Sequence, residues 1–156
     1  MAHLKSGDQA PGFTLTGQED NTVQLADFKG QKLLLYFYPR AETPGCTKQA
    51  CQIRDARSEL AELGVAAVGV SPDKPADQKR FDERFGLGFP LLSDPDHVAA
   101  QAYGAWGEKS MYGKTSMGII RSAFLIDENG KVLNAWYKVK PDETVPLVRQ
   151  ALGSDS

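Results

Sequence analysis

Cys46 and Cys51 are the only two cysteines in this chain of 156 residues, and they lie five positions apart. Cys46 closes the segment Pro39-Arg-Ala-Glu-Thr-Pro-Gly-Cys46. There Thr43 followed by Pro44 reads as a helix opening, with a hydroxyl at the cap and then a proline that needs no amide hydrogen. A sulfur in the first turn meets free N–H groups and the positive end of the helix dipole, which favour the anionic nucleophile. The dipole supplies about 0.3–1 kcal/mol, and a nearby guanidinium supplies more at close range. A second thiol in the same short segment can close a disulfide once the first is oxidised. These residues point to redox chemistry.

Ionisation alone does not make a fast reagent. A free thiol of pKa ~8.5 is already a few per cent thiolate at neutral pH, so full deprotonation gains only about thirtyfold. The rest must come from donors that orient the electrophile and stabilise charge on its leaving group. The Thr43 hydroxyl, the Cys46 backbone N–H and an arginine are the candidates. Such donors suit a peroxide, whose O–O bond breaks as negative charge develops on oxygen.

Closing the pair has a structural cost. On an ideal helix, residues five apart are rotated by ~140° with Cα atoms about 8.7 Å apart. A disulfide needs Cα atoms within ~7 Å and Cβ atoms facing each other, so the first turns must unwind. No large apolar side chain lies between Cys46 and Gln52, and Ile53 is the first anchor. The helix start is therefore expected to open at low free-energy cost.

The surrounding pattern supplies the elements that position these residues. Lys32 to Tyr38 is a short apolar and aromatic run that reads as a buried strand before Pro39. After Cys46, Ile53, Ala56, Leu60 and Leu63 recur at helical spacing, and Gly64 is a stop. The pattern predicts strands at 23–25, 65–70 and 90–92, a turn at 27–30, and helices over 75–85, 96–103 (from an acidic cap) and 142–152. A hairpin over 122–126 and 131–137 turns on Asp127-Glu-Asn-Gly130. Strands alternating with helices, closed by a hairpin and a helix, predict one α/β domain over residues 1–156. Its expected form is a thioredoxin-like mixed sheet flanked by helices, with an N-terminal extension. Sites in such sheets lie at the carboxyl ends of the strands, where Pro39 to Cys46 falls.

Composition removes several function classes. The formal net charge of −2 and 24% charged residues are ordinary for a soluble protein, and the pI near 5.7 gives no footprint for nucleic acid. The longest apolar run, Leu33 to Tyr38, is far too short to span a bilayer. Met1 to Asp8 lacks the apolar stretch of a signal peptide, so a cytoplasmic location is expected. In that reducing compartment a cysteine pair is more often catalytic, redox-sensing or metal-binding than structural. A zinc site is disfavoured, because the only histidines are His3 and His97 and there is no second cysteine pair. His97 reads as a surface or capping residue, and Trp106 and Phe85 as packing residues. Gly113-Lys-Thr115 lacks the spacing of a phosphate-binding loop. On residues alone, two inert buried thiols, a thiol–disulfide oxidoreductase and a redox-sensing binding protein stay open. The two-residue cysteine spacing usual for the oxidoreductase is absent.

The chain resembles the peroxiredoxins, and within them the Q-type, or bacterioferritin comigratory protein, group. The pattern of proline, three residues, threonine, two residues and cysteine is matched by Pro39, Thr43 and Cys46, and the arginine of a later strand by Arg121. Cys51 matches a cysteine found in one Q-type subgroup. Tyr36-Phe-Tyr-Pro39, Ser71-Pro-Asp-Lys-Pro75, Leu92-Ser-Asp94 and Trp106-Gly-Glu-Lys109 also resemble that group. The resemblance implies that Cys46 attacks a peroxide and that Cys51 resolves the sulfenic acid as a disulfide within one chain. It also implies that Thr43 and Arg121 hold the peroxide while Pro39 shields the pocket. A thioredoxin-type or glutaredoxin-type reductant and a monomeric state are further implications, with no metal, haem or flavin. The Gly-Gly-Leu-Gly loop and Tyr-Phe tail of certain dimeric relatives are missing here, which implies resistance to overoxidation.

Overall fold

The computed structural model describes residues 3–153. Its elements run in the order β1 (Thr14–Gly17), β2 (Thr22–Gln24), a 3-10 turn (Leu25–Phe28), β3 (Lys32–Phe37), α1 (Pro44–Glu62), β4 (Val65–Ser71) and α2 (Pro75–Phe85). They continue with β5 (Leu91–Ser93), α3 (Val98–Ala102), β6 (Trp106–Met111), β7 (Lys114–Ile119), β8 (Ser122–Ile126), β9 (Val132–Tyr137) and α4 (Thr144–Gly153). Seven strands form one mixed sheet in the order β2-β1-β5-β4-β3-β8-β9. β3 is an interior strand, parallel to β4 and antiparallel to β8.

β3 is buried on both faces, which explains its unbroken apolar run. Successive side chains on a strand point to opposite faces, and the core divides accordingly. Leu34, Tyr36 and Tyr38 join a cluster with Cys46, Ile53, Leu60, Phe81 and Val148, from the side of α1, α2 and α4. Leu33, Leu35 and Phe37 join Val68, Tyr103 and Phe124 in the other. Gly69 stands opposite Tyr36 on β4. A Cβ there would lie 2.9 Å from the Tyr36 hydroxyl and 3.0 Å from the Tyr38 ring, so only glycine admits both phenols.

The expected elements are present, with shifts of one or two residues at most ends. Three differences carry information. β1 was not expected. The ribbon β6–β7 was not expected either: its polar, glycine-containing strands pair only with each other, around Tyr112-Gly113. α3 is shorter than 96–103, and its acidic cap is Asp94. That carboxylate accepts from the N–H groups of Val98, Ala99 and Ala100 at 2.9, 3.3 and 3.0 Å. His97 occupies the cap position of α3 and stacks on Trp106, with ring centroids 4.0 Å apart. Leu63, at the same spacing as Ile53, Ala56 and Leu60, caps the end of α1 and is exposed. Among the described residues no helix is long and apolar enough to cross a membrane.

Candidate active site

The topology assembles the site at the carboxyl end of β3. The chain leaves β3 through Tyr38 and Pro39, turns through Arg40 to Glu42, and enters α1 with Pro44 as its first residue. Cys46 is third in the helix. On the neighbouring strand Ser122 pairs with Phe37, so Arg121, one residue before β8, arrives beside the same turn. It sits in the link between β7 and β8 rather than on a strand, as the sequence had suggested.

Cys46 is 1% exposed and belongs to the apolar cluster beneath α1, yet one side of its sulfur is polar. Arg121 donates from Nη2 to Cys46 Sγ at 3.3 Å, and from Nη1 to Gln49 Oε1 at 2.7 Å. The planar guanidinium thus spans the Cys46 sulfur and a fixed acceptor, an arrangement that a lysine cannot reproduce. Among the described residues Arg121 pairs with no carboxylate, so its charge is directed at the sulfur. Gly45 admits this approach, because a Cβ there would lie 3.2 Å from Arg121 Nη2.

Thr43 is at the helix cap as expected, but its hydroxyl does not cap the helix. It turns outward and donates to the Arg40 carbonyl at 2.9 Å. With its hydrogen committed there, the oxygen keeps lone pairs to accept a further hydrogen bond. Pro39 is half-buried at the exit of β3. Cys51 lies two turns into the same helix and is half-buried, and the two thiols are not joined.

The first turns of α1 are not unanchored. Gln49 and Ala50 are fully buried. Besides accepting from Arg121, Gln49 donates from Nε2 to Thr144 Oγ1 at 2.8 Å. The expectation of an easily opened helix start rested on counting large apolar side chains, and the anchor is a polar one. Its signal was available, since Cys46, Gln49, Ala50 and Ile53 follow the helical spacing of a buried stripe.

Two further residues lie in segments that the sequence singled out without giving either a role. Asp73 accepts from the Ala41 N–H at 2.7 Å and from the Ser71 hydroxyl at 2.6 Å, fastening the Pro39–Thr43 turn to the end of β4. Lys109, on the unexpected β6–β7 ribbon, packs its stem over Gly118. Burial, and then the nearby Arg121 charge, press its ammonium below the ordinary lysine range, while Cys46 acts in the opposite sense. Among the described residues no cluster of three or more His, Cys, Asp or Glu side chains could hold a metal ion. A cavity of about 690 Å³ lies at the opposite end of β3, against Phe13, Leu25, Phe28 and Ile126, and includes none of the thiol-site residues.

A thioredoxin-like mixed sheet that sets a helix-start thiol against a guanidinium defines a thiol-based redox protein. The chain belongs to the AhpC/TSA family, which it matches over residues 6–135. It is 53% identical over 132 residues to peroxiredoxin Bcp of Escherichia coli, covering 85% of each chain. It is 51% identical over 149 residues to a putative peroxiredoxin of Mycobacterium tuberculosis, covering 96% of this chain and 95% of the relative. Among solved structures it resembles the bacterioferritin comigratory protein of Xanthomonas campestris, described for its alkyl peroxide reduction activity. The TM-score is 0.86, with 34% identity over 92% of this chain and 90% of that one.

Proposed function

We propose that this chain is a thiol peroxidase that reduces hydrogen peroxide and organic hydroperoxides by a two-cysteine cycle. The observation that carries the reading is the Arg121 guanidinium 3.3 Å from the Cys46 sulfur. It supplies a fixed positive donor where an attacking thiolate and a departing oxygen both carry negative charge. The Cys46 thiolate attacks one peroxide oxygen, an S–O bond forms and the O–O bond breaks. The departing oxygen takes a proton and leaves as alcohol or water, and Cys46 becomes a sulfenic acid. Arg121 donates to the peroxide oxygens, Thr43 accepts from the peroxide O–H, and Pro39 covers one side of the pocket.

Cys51 then attacks the sulfenic sulfur. An S–S bond forms, and hydroxide leaves with a proton as water. Because both thiols are on α1, this step requires the start of that helix to unwind. A thioredoxin-type or glutaredoxin-type dithiol returns two electrons and restores both thiols. The cycle runs in a monomer, in the reducing cytoplasm.

A peroxide-consumption assay with thioredoxin, its reductase and NADPH tests this. Sustained turnover is expected, together with a loss of two hydrogens on non-reducing mass analysis after one equivalent of peroxide. One stoichiometric oxidation without turnover would instead indicate a sensor, and insulin reduction without peroxide turnover a disulfide oxidoreductase.

A further inference from the structure

The start of α4 clasps the start of α1. Gly45 lies under Pro141, where a Cβ would come within 3.3 Å of the proline ring. Lys48 pairs with Asp142 at 3.8 Å, an exposed contact of little strength. The buried contact is the one from Gln49 Nε2 to Thr144 Oγ1 at 2.8 Å, in which both residues have no exposed surface. The turn ahead of α4 is itself fixed: Glu143 accepts from the Lys140 N–H at 2.7 Å, and its own N–H donates to the Lys140 carbonyl at 3.0 Å. A continuous chain of hydrogen bonds therefore runs from the Cys46 sulfur through Arg121 and Gln49 to Thr144.

We propose that Thr144 is a positioning residue that acts through Gln49 as a latch on the unwinding of α1, and so sets how fast Cys46 reaches Cys51. This rests on the two-cysteine peroxidase reading. In the folded helix both ends of the Gln49 amide are satisfied, by Arg121 and by Thr144. Unwinding carries the amide into water and leaves the buried Thr144 hydroxyl and one arm of Arg121 without this partner. Removing the hydroxyl transfers the penalty to the folded side, because Gln49 Nε2 is then buried without an acceptor. The folded helix start is weakened, and the unwound state from which Cys51 attacks becomes more populated.

The test is rapid-mixing kinetics on Thr144→Val, which keeps the shape of the side chain, and on Thr144→Ser, which keeps the hydroxyl. One equivalent of hydrogen peroxide is added to the reduced proteins. Disulfide formation is expected to accelerate about fivefold in Thr144→Val, the equilibrium effect of one buried hydrogen bond, while the oxidation step does not speed up. The peroxide concentration that half-converts Cys46 to sulfinic acid is expected to rise by a similar factor. Thr144→Ser should return both quantities to the wild-type values. Should the valine variant not fold, Thr144→Ala carries the same expectation. Hydrogen exchange at amides 46–50 must also be faster without the hydroxyl than in wild type.

Unchanged or slower disulfide formation in a folded variant lacking the hydroxyl overturns the latch, as does unchanged exchange at those amides. Failure of the wild-type protein to form the Cys46–Cys51 disulfide at all would instead count against the peroxidase cycle.

Discussion

The guanidinium of Arg121 faces the sulfur of Cys46 at 3.3 Å, although 75 residues separate the two in the chain. Arg121→Met should lower kcat/KM for hydrogen peroxide by about 10²–10³, the usual loss when a donor to a developing oxyanion is removed. Arg121→Lys keeps the charge but loses the fork that also grips Gln49, so it should recover only part of the activity. Stopped-flow oxidation of both variants checks this. A lysine variant as fast as wild type would show that charge alone suffices.

Cys46→Ser should abolish peroxide consumption. Cys51→Ser should consume one equivalent per chain and then stall unless another thiol is supplied. Peroxide counting on the purified variants decides the matter. Normal cycling of Cys51→Ser with the same donor would move resolution outside the chain.

Asp73 holds the turn that presents Thr43, through the Ala41 N–H and the Ser71 hydroxyl. Asp73→Ala leaves both donors without this acceptor and should cost about 1–3 kcal/mol in urea unfolding. Peroxide attack should slow with it. The resolution step, which depends on α1 and not on this turn, should keep its rate.

Gly69→Ala would push a methyl group within 3.0 Å of two buried phenols. Overpacking of this kind costs about 1–3 kcal/mol, so the denaturation midpoint should fall at an unchanged m-value. An alanine variant as stable as wild type would mean that Tyr36 and Tyr38 have room to move.

Burial holds the phenols of Tyr36, Tyr38 and Tyr103 well above the ordinary tyrosine range. An unfolded chain releases these protons near pH ~10 while the folded chain keeps them. Their contribution to stability is therefore complete below pH ~10 and is lost as pH rises above it. Tyrosinate absorbance of these residues should appear together with loss of secondary structure in an alkaline titration. Ionisation of all three in a still-folded protein would contradict the expectation.

Much of this was legible in the chain. β3, β4, α2 and β8–β9 announce themselves through apolar runs, proline starts and a strong turn, and the thiol segment through Pro39, Thr43 and Cys46. What stayed hidden depends on contacts distant in sequence. β1 has four residues, of which only Gly17 is buried, so it carries no alternation to read. β6–β7 is a ribbon whose second strand is mostly exposed, so burial imposes no pattern on it. The Thr43 hydroxyl could be assigned a cap from local sequence, but its choice of the Arg40 carbonyl depends on the turn that Asp73 holds. Gln49 resembles any polar helix residue until its partners on α4 and beside β8 are known.

The alternate packing of β3 also limits how far the redox cycle can disturb the molecule. Cys46, Ala50 and Ile53 rest on one side of the sheet, while Phe37, Tyr103 and Phe124 interlock on the other. In the proposed cycle, melting and rewinding of the segment that carries Cys46 is thereby confined to a single layer. The opposite layer would then serve as an undisturbed template, against which the segment regains its shape after each proposed turnover.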